Sequence, residues 1–477
     1  MSLMTRSRRP RPGRLNLTAP RATAGLAAAA AVALLAACGG GSSPAASSSG
    51  SSGGSGASPS ASATVLAGGS CKSSNATQIT FWAWVPGIAR AVNAFNASHP
   101  SICVTLEDVG AGNPEYVKIS DALKAGSGAP DVAEVEFDEL PSFEVTHDVV
   151  DLSQYGANKY KDQFEPWAWE EVSQGNAVYA MPGDAGPMAF YYNSKLLAKY
   201  HIKPPTTWDE FATAAAALKK ANPNAFMTNF AATDLQWVMS LMAQAGAWPF
   251  QYSGGSSVTI NWTGPAQMKF AAYWQKLMDA HEVNGTTDVS ATSFADMDKG
   301  IDASWLSSAW GPSYFAPDAK ASVGAWRAAP LPQWSAGANV AANWGGSTYP
   351  VFKGSAHPAQ AAQFSEWLNG TNDSWNITKT APSSLFPTYK PLLNDPAYKN
   401  ITVPVSGSSH PGRVFTAAAS SITGVPWPPF MTEAQTQAGT VFAGVLSGKE
   451  TLASAFRNFQ NVLVSYAKQQ GFTVSAG

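Results

Sequence analysis

Strands and helices alternate along the chain from Gln78 onward, and this alternation constrains the fold more than any other feature. The run over 79–84 predicts a buried strand that ends before Pro86-Gly87. Apolar spacing predicts a helix over 88–98, and β-branched residues predict a second strand over 102–109. Because a strand–helix–strand repeat favours parallel strands with right-handed crossovers, we expect an α/β protein.

The pattern continues with a predicted helix over 116–125 and a third predicted strand over 131–137. Further along, Thr207 and Glu210 form a capping-box pattern that predicts the start of an Ala-rich helix. Ser447 and Glu450 repeat that pattern before a long amphipathic run, which predicts a helix that ends before Gly471 as its C-terminal cap. These signals predict a folded part that reaches nearly to residue 477.

The first seventy residues have the pattern of a targeting segment and a tether. An Arg-rich leader precedes an apolar run over 22–37, which is short for a membrane span and ends in Leu35-Ala36-Ala37-Cys38. This ending resembles a bacterial lipobox, so we expect residues 1–37 to be a lipoprotein signal peptide and Cys38 to be lipidated. An ordinary signal peptide followed by a chance cysteine is the alternative. Residues 38–70 are rich in Gly and Ser and predict a flexible tether.

The chain has 3 cysteines, and lipidation of Cys38 would leave Cys71 and Cys103 as a pair. Both lie near predicted neighbouring strands, and an oxidising compartment favours a disulfide between them. Two free buried thiols are the alternative. Neither alternative supports a cysteine nucleophile or a metal site.

Charge and motif content exclude several classes of function. Charged residues make up 13% of the chain and the net charge is −2, with no basic block in the folded part, so the electrostatic footprint of a nucleic-acid binder is missing. The 6 histidines are scattered without metal-ligand spacing, and the folded part has no Gly-x-Ser-x-Gly elbow. We therefore expect no metal, no cofactor and a ligand that is polar.

Several motifs occur in the order found in one known family. They are a strand end at 181–182 followed by 190–193, the segment 204–211, and the shorter segments 309–312, 329–332, 345–347 and 358–364. In this order the chain resembles extracellular solute-binding proteins of the maltose-binding type. The resemblance implies a periplasmic-binding-protein type II fold with two discontinuous lobes joined by a hinge. It places residues 71–182 and about 333–384 in one lobe, and residues 183–332 and about 385–477 in the other.

The resemblance also implies where a ligand is contacted: at strand ends, just past the hinge, before a Gly-Pro turn, at a Gly-Gly turn and in a late loop. The residues at these places are Trp84, Glu136, Asp138, Asp184, Trp310, Trp344, Gly345, Gly346 and Trp427, with Trp237 and Arg413 as further candidates. Indole rings stack on the C–H faces of a sugar ring, and carboxylates accept hydrogen bonds from its hydroxyls. Strand carboxyl ends are also where ligands bind in open α/β sheets.

These features predict a sugar-binding lipoprotein of an ABC importer, held on the extracellular face of the cell membrane. Its expected partners are a mono- or oligosaccharide, the permease subunits and, through the lipid on Cys38, the membrane. Three alternatives remain open. A surface glycosidase would use two of the carboxylates, a binding protein could take a peptide or a polyamine, and an adhesion or scaffold module would have no ligand cleft.

Overall fold

A computed structural model describes residues 64–65, 71–379, 385–393 and 395–476. The predicted signal peptide, the lipidation site Cys38 and nearly all of the predicted tether lie outside the described residues. No helix within the described ranges is long and apolar enough to cross a membrane.

Short strands and many helices alternate throughout the described chain. The strands are β1 (Thr64–Val65), β2 (Thr77–Trp82), β3 (Ile102–Asp108), β4 (Val132–Ala133), β5 (Val135–Glu136), β6 (Ser173–Gln174), β7 (Ala177–Val178), β8 (Met181–Pro182), β9 (Met188–Asn193), β10 (Phe250–Gln251), β11 (Ser257–Ile260), β12 (Ser304–Ser308), β13 (Trp326–Pro330), β14 (Ser347–Tyr349) and β15 (Thr473–Ala476).

The α-helices are α1 (Ala89–Ser98), α2 (Asn113–Ala125), α3 (Leu140–Val145), α4 (Pro166–Glu171), α5 (Ser194–Lys199), α6 (Trp208–Ala221), α7 (Leu235–Gln244), α8 (Pro265–Asp279), α9 (Ala291–Lys299), α10 (Gly311–Phe315), α11 (Pro358–Gly370), α12 (Asn372–Thr378), α13 (Lys390–Leu393), α14 (Pro396–Lys399), α15 (Gly412–Ala419), α16 (Met431–Val441), α17 (Ala443–Leu446) and α18 (Leu452–Gln469). Short 3-10 helices cover Leu152–Tyr155, Ala157–Gln163 and Pro404–Ser406.

The described chain packs around two hydrophobic cores, and we name the regions around them the first and second lobes. The core of the first lobe contains Phe81, Phe95 and Phe364. The core of the second lobe contains Phe190 and Phe456. The sequence-based expectation of a two-lobe α/β fold is thus confirmed.

The first lobe has the parallel strand pairing that the sequence predicts. Its sheet has the order β1-β3-β2-β4, with β2 parallel to both β3 and β4. The Phe81 ring on β2 meets the Phe364 ring on α11 at 5.1 Å, and Phe95 on α1 meets the same ring at 5.0 Å. Cys71 and Cys103 form a disulfide with a Cα–Cα distance of 5.6 Å, which confirms that prediction.

The single strand predicted over 131–137 is wrong. The chain breaks at Glu134, so that β4 stays in the parallel sheet while β5 joins a second sheet of order β5-β14-β8. The Glu134 carboxylate explains the break, because it accepts hydrogen bonds from the backbone N–H groups of Trp84 and Val85 at 3.1 and 3.2 Å. The sheet β5-β14-β8 brings together three distant parts of the chain beside Asp184.

In the second lobe β9 lies between β12 and β13 and pairs antiparallel with both, whereas β11 pairs antiparallel with β10 and parallel with β15. The interior of this lobe is filled by tryptophan rings that are less than 2% exposed and meet mostly edge to face. They include Trp237, Trp262 and Trp274, and the Trp262 ring lies 4.8 Å from that of Phe459. Much of the large tryptophan content of the chain therefore fills a core.

One predicted helix start is confirmed and another is wrong. Thr207 caps α6 by accepting a hydrogen bond from the Glu210 N–H at 3.1 Å. The last long helix, α18, is capped by Thr451 and not by Ser447. The Ser447 hydroxyl donates to the carbonyl oxygens of Ala443 and Gly444 in α17, so Ser447 belongs to the end of the preceding helix. Gly471 follows the end of α18 with φ of 88°, as predicted for a C-terminal cap.

The predicted bounds of the lobes stay a prediction. Leu385, Phe386, Leu392 and Phe415 pack in the first core. Trp344 and Trp427 pack in the second. The chain therefore crosses between the two cores several times.

Candidate functional site

A cavity of about 420 Å³ lies between the two lobes. The first lobe lines it with Asn113, Tyr116, Glu136, Asp138 and Glu139, and the second lobe with Thr233, Asp234, Gln236, Thr287, Asp288, Val289, Trp310, Trp344, Met431 and Gln435. Because side chains of both lobes line it, a ligand here would contact both lobes at once.

Two indole rings form the aromatic side of the cavity. The Trp310 ring is half-buried and packs 4.5 Å from the Trp344 ring, and its Nε1–H donates to the Trp344 carbonyl at 2.9 Å. Gly345, with φ of 78°, follows Trp344, and a Cβ there would lie 2.9 Å from Trp310 Nε1. A glycine at this position thus lets the Trp310 ring lie against the turn, which leaves part of the ring open to the cavity.

Glu136 lies on the first-lobe side of the cavity and is hydrogen-bonded to Tyr116 of the same lobe. Its Oε2 accepts a hydrogen bond from the Tyr116 hydroxyl at 3.0 Å, and the same hydroxyl accepts from the Glu136 N–H at 3.1 Å. The Gln236 side chain of the second lobe is also a neighbour of Glu136 and favours its ionised form. Burial raises the pKa of Glu136 to about 7, and the nearby Asp234 and Asp184 charges add to the rise.

Asp138 and Glu139 follow on the same wall and have different surroundings. Burial raises the pKa of Glu139 to about 7, and the neighbouring Thr432 of the second lobe favours its ionised form. Asp138 is 8% exposed, and its Oδ1 has no hydrogen-bond partner among the residues that the structure describes. Burial and the charges of Glu136 and Glu139 raise the pKa of Asp138 well above its ordinary value. A buried carboxylate oxygen without a donor is suited to a ligand's hydrogen-bond donor.

Two carboxylates of the second lobe face the same cavity. Asp234 caps α7 by accepting from the Trp237 N–H at 2.9 Å, and burial raises its pKa to about 6. Asp288 is 8% exposed, and burial followed by the Asp234 charge raises its pKa to about 7. The next residue, Val289, has φ of 46°, which is unusual for a β-branched side chain, and it is partly exposed to the cavity.

Two other acids have structural roles beside the cavity. Besides its bonds to two backbone amides, Glu134 accepts a hydrogen bond from the Ser347 hydroxyl at 2.9 Å. Asp184 accepts from the Ser347 N–H at 3.1 Å. Burial raises the pKa of Glu134 to about 8 and that of Asp184 to about 7. Both acids fix β14 against its neighbours, and neither lines the cavity.

The sequence-predicted residues are therefore only partly brought together. Four of them line the cavity: Glu136, Asp138, Trp310 and Trp344. Trp84 lies behind Tyr116, with the two ring centroids 6.0 Å apart. A Cβ at Gly346 would lie 2.8 Å from the Asp184 carbonyl oxygen, so this glycine permits a close backbone approach beneath the cavity.

Three further predicted residues lie away from the cavity lining. Trp237 is fully buried and its Nε1–H donates to the Leu306 carbonyl at 3.0 Å. The Trp427 Nε1–H donates to Glu171 of the first lobe at 3.0 Å, which links the two lobes. Arg413 is exposed and donates to the Asn400 side chain at 2.7 Å. A ligand contact by any of the three stays a prediction.

Sequence patterns did not indicate eleven of the cavity-lining residues, most of which lie on the second-lobe wall. The residues not selected are Asn113, Tyr116, Glu139, Thr233, Asp234, Gln236, Thr287, Asp288, Val289, Met431 and Gln435. Asp234 had a usable signal, since an Asp before an apolar helical run predicts a helix start. Gln435 has no such signal in the sequence. Its side chain hydrogen-bonds the backbone of Thr233 and Leu235, which lie about 200 residues earlier in the chain.

The cavity is lined by acids without having the arrangement of a metal site. Within the described ranges, no group of three His, Cys, Asp or Glu side chains is placed to hold a metal ion. What the lining offers is an aromatic face, amide and hydroxyl groups, and carboxylate acceptors from both lobes.

Comparison with known proteins identifies the class. Residues 83–372 match the family model of the bacterial extracellular solute-binding protein. A lactose-binding protein of Rhizobium radiobacter is 27% identical over 61% of this chain and 69% of its own length. An arabinooligosaccharide-binding protein of Bacillus subtilis (strain 168) is 24% identical over 65% of this chain and 73% of its own length.

One solved structure matches a larger share of this chain than the two relatives above do. The ABC-transporter-associated binding protein of B. animalis subsp. lactis Bl-04, solved in complex with β-1,6-galactobiose, is 30% identical. The match covers 84% of this chain and 100% of that one, with a TM-score of 0.75. The chain belongs to the bacterial extracellular solute-binding protein family, with the two-lobe type II fold of periplasmic binding proteins.

Proposed function

We propose that this protein binds a saccharide in the cavity between its lobes and delivers it to the permease of an ABC importer. The observation that carries the proposal is the pairing of the Trp310 face with carboxylates from both lobes around one cavity. A sugar ring has apolar C–H faces that stack on an indole and hydroxyls that donate to carboxylates, so it complements both parts.

The relatives support the same class of ligand. Those reported above are named for binding lactose and arabino-oligosaccharides, and one was solved with β-1,6-galactobiose. The cavity volume of about 420 Å³ is consistent with a ligand of a few rings or fewer. We therefore infer a mono- or oligosaccharide as the ligand and propose that it is released chemically unchanged.

Closure around the ligand is the proposed signal to the permease. Glu136 has Gln236 of the second lobe as a neighbour and Glu139 has Thr432, while the Trp427 Nε1–H donates to Glu171 across the two lobes at 3.0 Å. A saccharide that contacts both walls would bind the closed arrangement more tightly and shift the population toward it. The permease would then recognise the closed protein.

The proposed cellular location is the extracellular face of the membrane, with the lipid on Cys38 as the anchor. The segment Leu35-Ala36-Ala37-Cys38 supports this proposal from the sequence alone. Replacing Cys38 by Ala should release the protein from the membrane fraction into the medium. Retention of Cys38→Ala in the membrane fraction would contradict the lipid anchor.

The binding role is tested by titrating the full-length chain with a saccharide panel in a calorimeter. The panel contains lactose, arabino-oligosaccharides and β-1,6-galactobiose. We expect at least one of them to bind, and Trp310→Ala to weaken that binding about tenfold or more because the stacking face is lost. Trp82→Ala is the matched control, since Trp82 is also half-buried but bonds Glu107 and does not line the cavity.

The same samples test for chemistry. After long incubation the bound saccharide should be recovered intact, because we propose transport and no turnover. Hydrolysis that is lost in Asp138→Asn or Glu136→Gln would instead support a glycosidase, which needs two carboxyl groups on either side of the scissile bond.

A further inference from the structure

The acids of the cavity have no basic partner. Five lining residues are carboxylic acids, namely Glu136, Asp138, Glu139, Asp234 and Asp288, and no lining residue is Lys, Arg or His. The ion pairs found among the described residues are Lys124–Asp121, Lys159–Glu366 and Lys379–Asp395, none of which involves these acids. Buried acids without a basic partner are costly to ionise, so positive charge is the missing complement.

Two carboxylate oxygens lack a donor, and they lie on opposite lobes. Asp138 Oδ1 and Asp288 Oδ2 make no hydrogen bond of ordinary geometry in the part of the chain that the structure describes, and both residues are more than nine-tenths buried. Trp305, Asn229 and the Val289 amide favour the ionised form of Asp288. For Asp138, the backbone amide of the residue itself is the group that favours the ionised form. Asp138 is therefore the stronger acceptor for a ligand.

Asp234 connects the two acids electrostatically. Its charge contributes to the raised pKa of Asp138 and also to that of Asp288. The Asp234 charge thus acts on one acid of each cavity wall. A positive charge placed among these three acids would be attracted to all three, because Coulomb interactions in a buried site are screened less than in water.

A neutral hydroxyl and a protonated amine satisfy this arrangement differently. A hydroxyl supplies one hydrogen-bond donor and no charge. The other acids of the cavity must then stay protonated, because an ionised carboxylate that is buried without a positive partner is destabilising. An ammonium group supplies three donors and a full positive charge, and its hydrogen bonds to carboxylates are about twice as strong as neutral ones.

The neutral residues of the cavity indicate which class of ligand bears the positive charge. They favour a saccharide over a simple alkyl polyamine. The Trp310 ring offers a flat apolar face, and Asn113 and Thr287 offer neutral donors and acceptors at the cavity wall. A polyamine has methylene groups and amines but no hydroxyls to use these polar groups.

We propose that the cavity selects a saccharide bearing a protonated amino group, which contacts Asp138 of the first lobe and Asp288 of the second while a ring stacks on Trp310. This proposal rests on the proposed saccharide-binding function and narrows its ligand to an aminodeoxy sugar or a similar basic saccharide.

The test is a calorimetric comparison of ligands that differ in a single group. The probes are lactose and β-1,6-galactobiose, their forms with an amine in place of the hydroxyl at C2 or C6 of the non-reducing ring, and the N-acetylated counterparts. They are titrated into the full-length chain at about pH 7, where an aliphatic amine is protonated. We expect an aminated form to bind at least tenfold more tightly than its hydroxyl and N-acetyl counterparts.

Conservative variants then assign the preference to the two acids. Asp138→Asn and Asp288→Asn keep the side-chain shape and remove the charge, so the ratio of amine to hydroxyl affinity should fall toward one in each. Asp121→Asn is the matched control, because that exposed acid pairs with Lys124 away from the cavity, and it should retain the full ratio. A melting curve of each variant establishes that it is folded.

Each result decides between the proposals. Neutral forms that bind as tightly as the aminated ones overturn the amine preference and leave saccharide binding intact. Spermidine binding without binding of any saccharide overturns both proposals in favour of a polyamine. If the aminated forms bind best but both Asn variants keep the full ratio, the assignment to Asp138 and Asp288 is overturned.

Discussion

The two walls of the cavity are built in different ways. The first-lobe wall comes mainly from one short segment, residues 136–139, which starts at the last residue of β5, with Tyr116 of α2 beside it. The second-lobe wall is assembled from separated parts of the chain at 233–236, 287–289, 310, 344 and 431–435. A wall made by one strand end can be located from sequence, whereas a wall made by converging loops depends on the packing of the whole lobe.

A second contrast lies within the first wall. Glu134 and Asp138 are both buried acids on one stretch of chain. Glu134 accepts three hydrogen bonds from the protein, at 2.9–3.2 Å, whereas Asp138 Oδ1 accepts none from the described residues. The number of protein donors therefore separates an acid that supports the fold from an acid available to a ligand.

The two lobes also differ in covalent support, which gives the largest expected effect. The disulfide Cys71–Cys103 closes a loop of 32 residues in the first lobe, and the second lobe contains no cysteine. Chain-entropy arguments predict that Cys71→Ser with Cys103→Ser lowers the unfolding free energy by about 3–4 kcal/mol. Saccharide affinity should be unchanged in the variant at temperatures where it is folded.

Denaturant unfolding and calorimetry on the same samples check this prediction. If the folded variant lost saccharide affinity together with stability, the disulfide would shape the cavity. That result would contradict the expectation that the disulfide affects stability alone. The wild-type chain with its disulfide reduced serves as a second measurement of the same loss.

Glu134→Ala should destabilise the protein by roughly 3 kcal/mol, because the buried amides of Trp84 and Val85 and the Ser347 hydroxyl lose their acceptor. Asp138→Ala removes an acid with an unpartnered oxygen and should change stability by less than about 1 kcal/mol. Urea unfolding of the two variants compares them directly. Equal losses of stability would remove the distinction between a supporting acid and a ligand-binding acid.

Asp234 tests the second wall, since it both caps α7 and lines the cavity. Asp234→Ala should lower stability by about 1 kcal/mol and weaken ligand binding, because the cap and the carboxylate are both lost. Asp234→Ser restores a cap without the carboxylate, so it should recover the stability and keep the binding defect. Recovery of both properties in Asp234→Ser would show that the carboxylate has no role in the cavity.

A change of pH tests the buried acids of both walls together. Burial raises the pKa of Glu136, Asp184 and Asp288 to about 7. The folded chain therefore holds protons that the unfolded chain has released between about pH 4 and pH 7, so folding stability declines as pH rises through this range. The melting temperature without ligand should fall from about pH 5 to about pH 8.

The variant Asp288→Asn carries no titrating group at that position and should show a shallower decline. A melting temperature that rises over the same range would contradict the raised pKa values. The comparison with wild type at each pH removes general effects of buffer and net charge.

Much of the fold was predictable because it depends on local patterns. Alternating strands and helices predicted the parallel pairing of β2 with β3, and Thr207 predicted the start of α6. The strand over 131–137 was mispredicted because Glu134 bonds the backbone of Trp84 and Val85 just past β2, a tertiary interaction that leaves no local signal. Ser447 failed as a cap because its hydroxyl is engaged at the end of the preceding helix.

The candidate site was predictable where an aromatic or an acid follows a strand, as for Glu136, Asp138 and Trp310. Trp237 and Trp427 are tryptophans like Trp310, but they pack in the second core. The residue type alone does not distinguish them, because a tryptophan packs in a hydrophobic core as readily as it stacks on a ligand. The convergence of Asp288 and Gln435 on one cavity requires the packed lobe, so no local pattern predicts it.

The central claim is that one saccharide contacts both lobes in the cavity between them. The most direct test is a crystal structure of the protein with the tightest-binding saccharide of the titration panel. We expect a sugar ring against the Trp310 indole, with polar contacts to Asp138 of the first lobe and Asp288 of the second. A saccharide bound outside this cavity, or one that contacts a single lobe, would contradict the account.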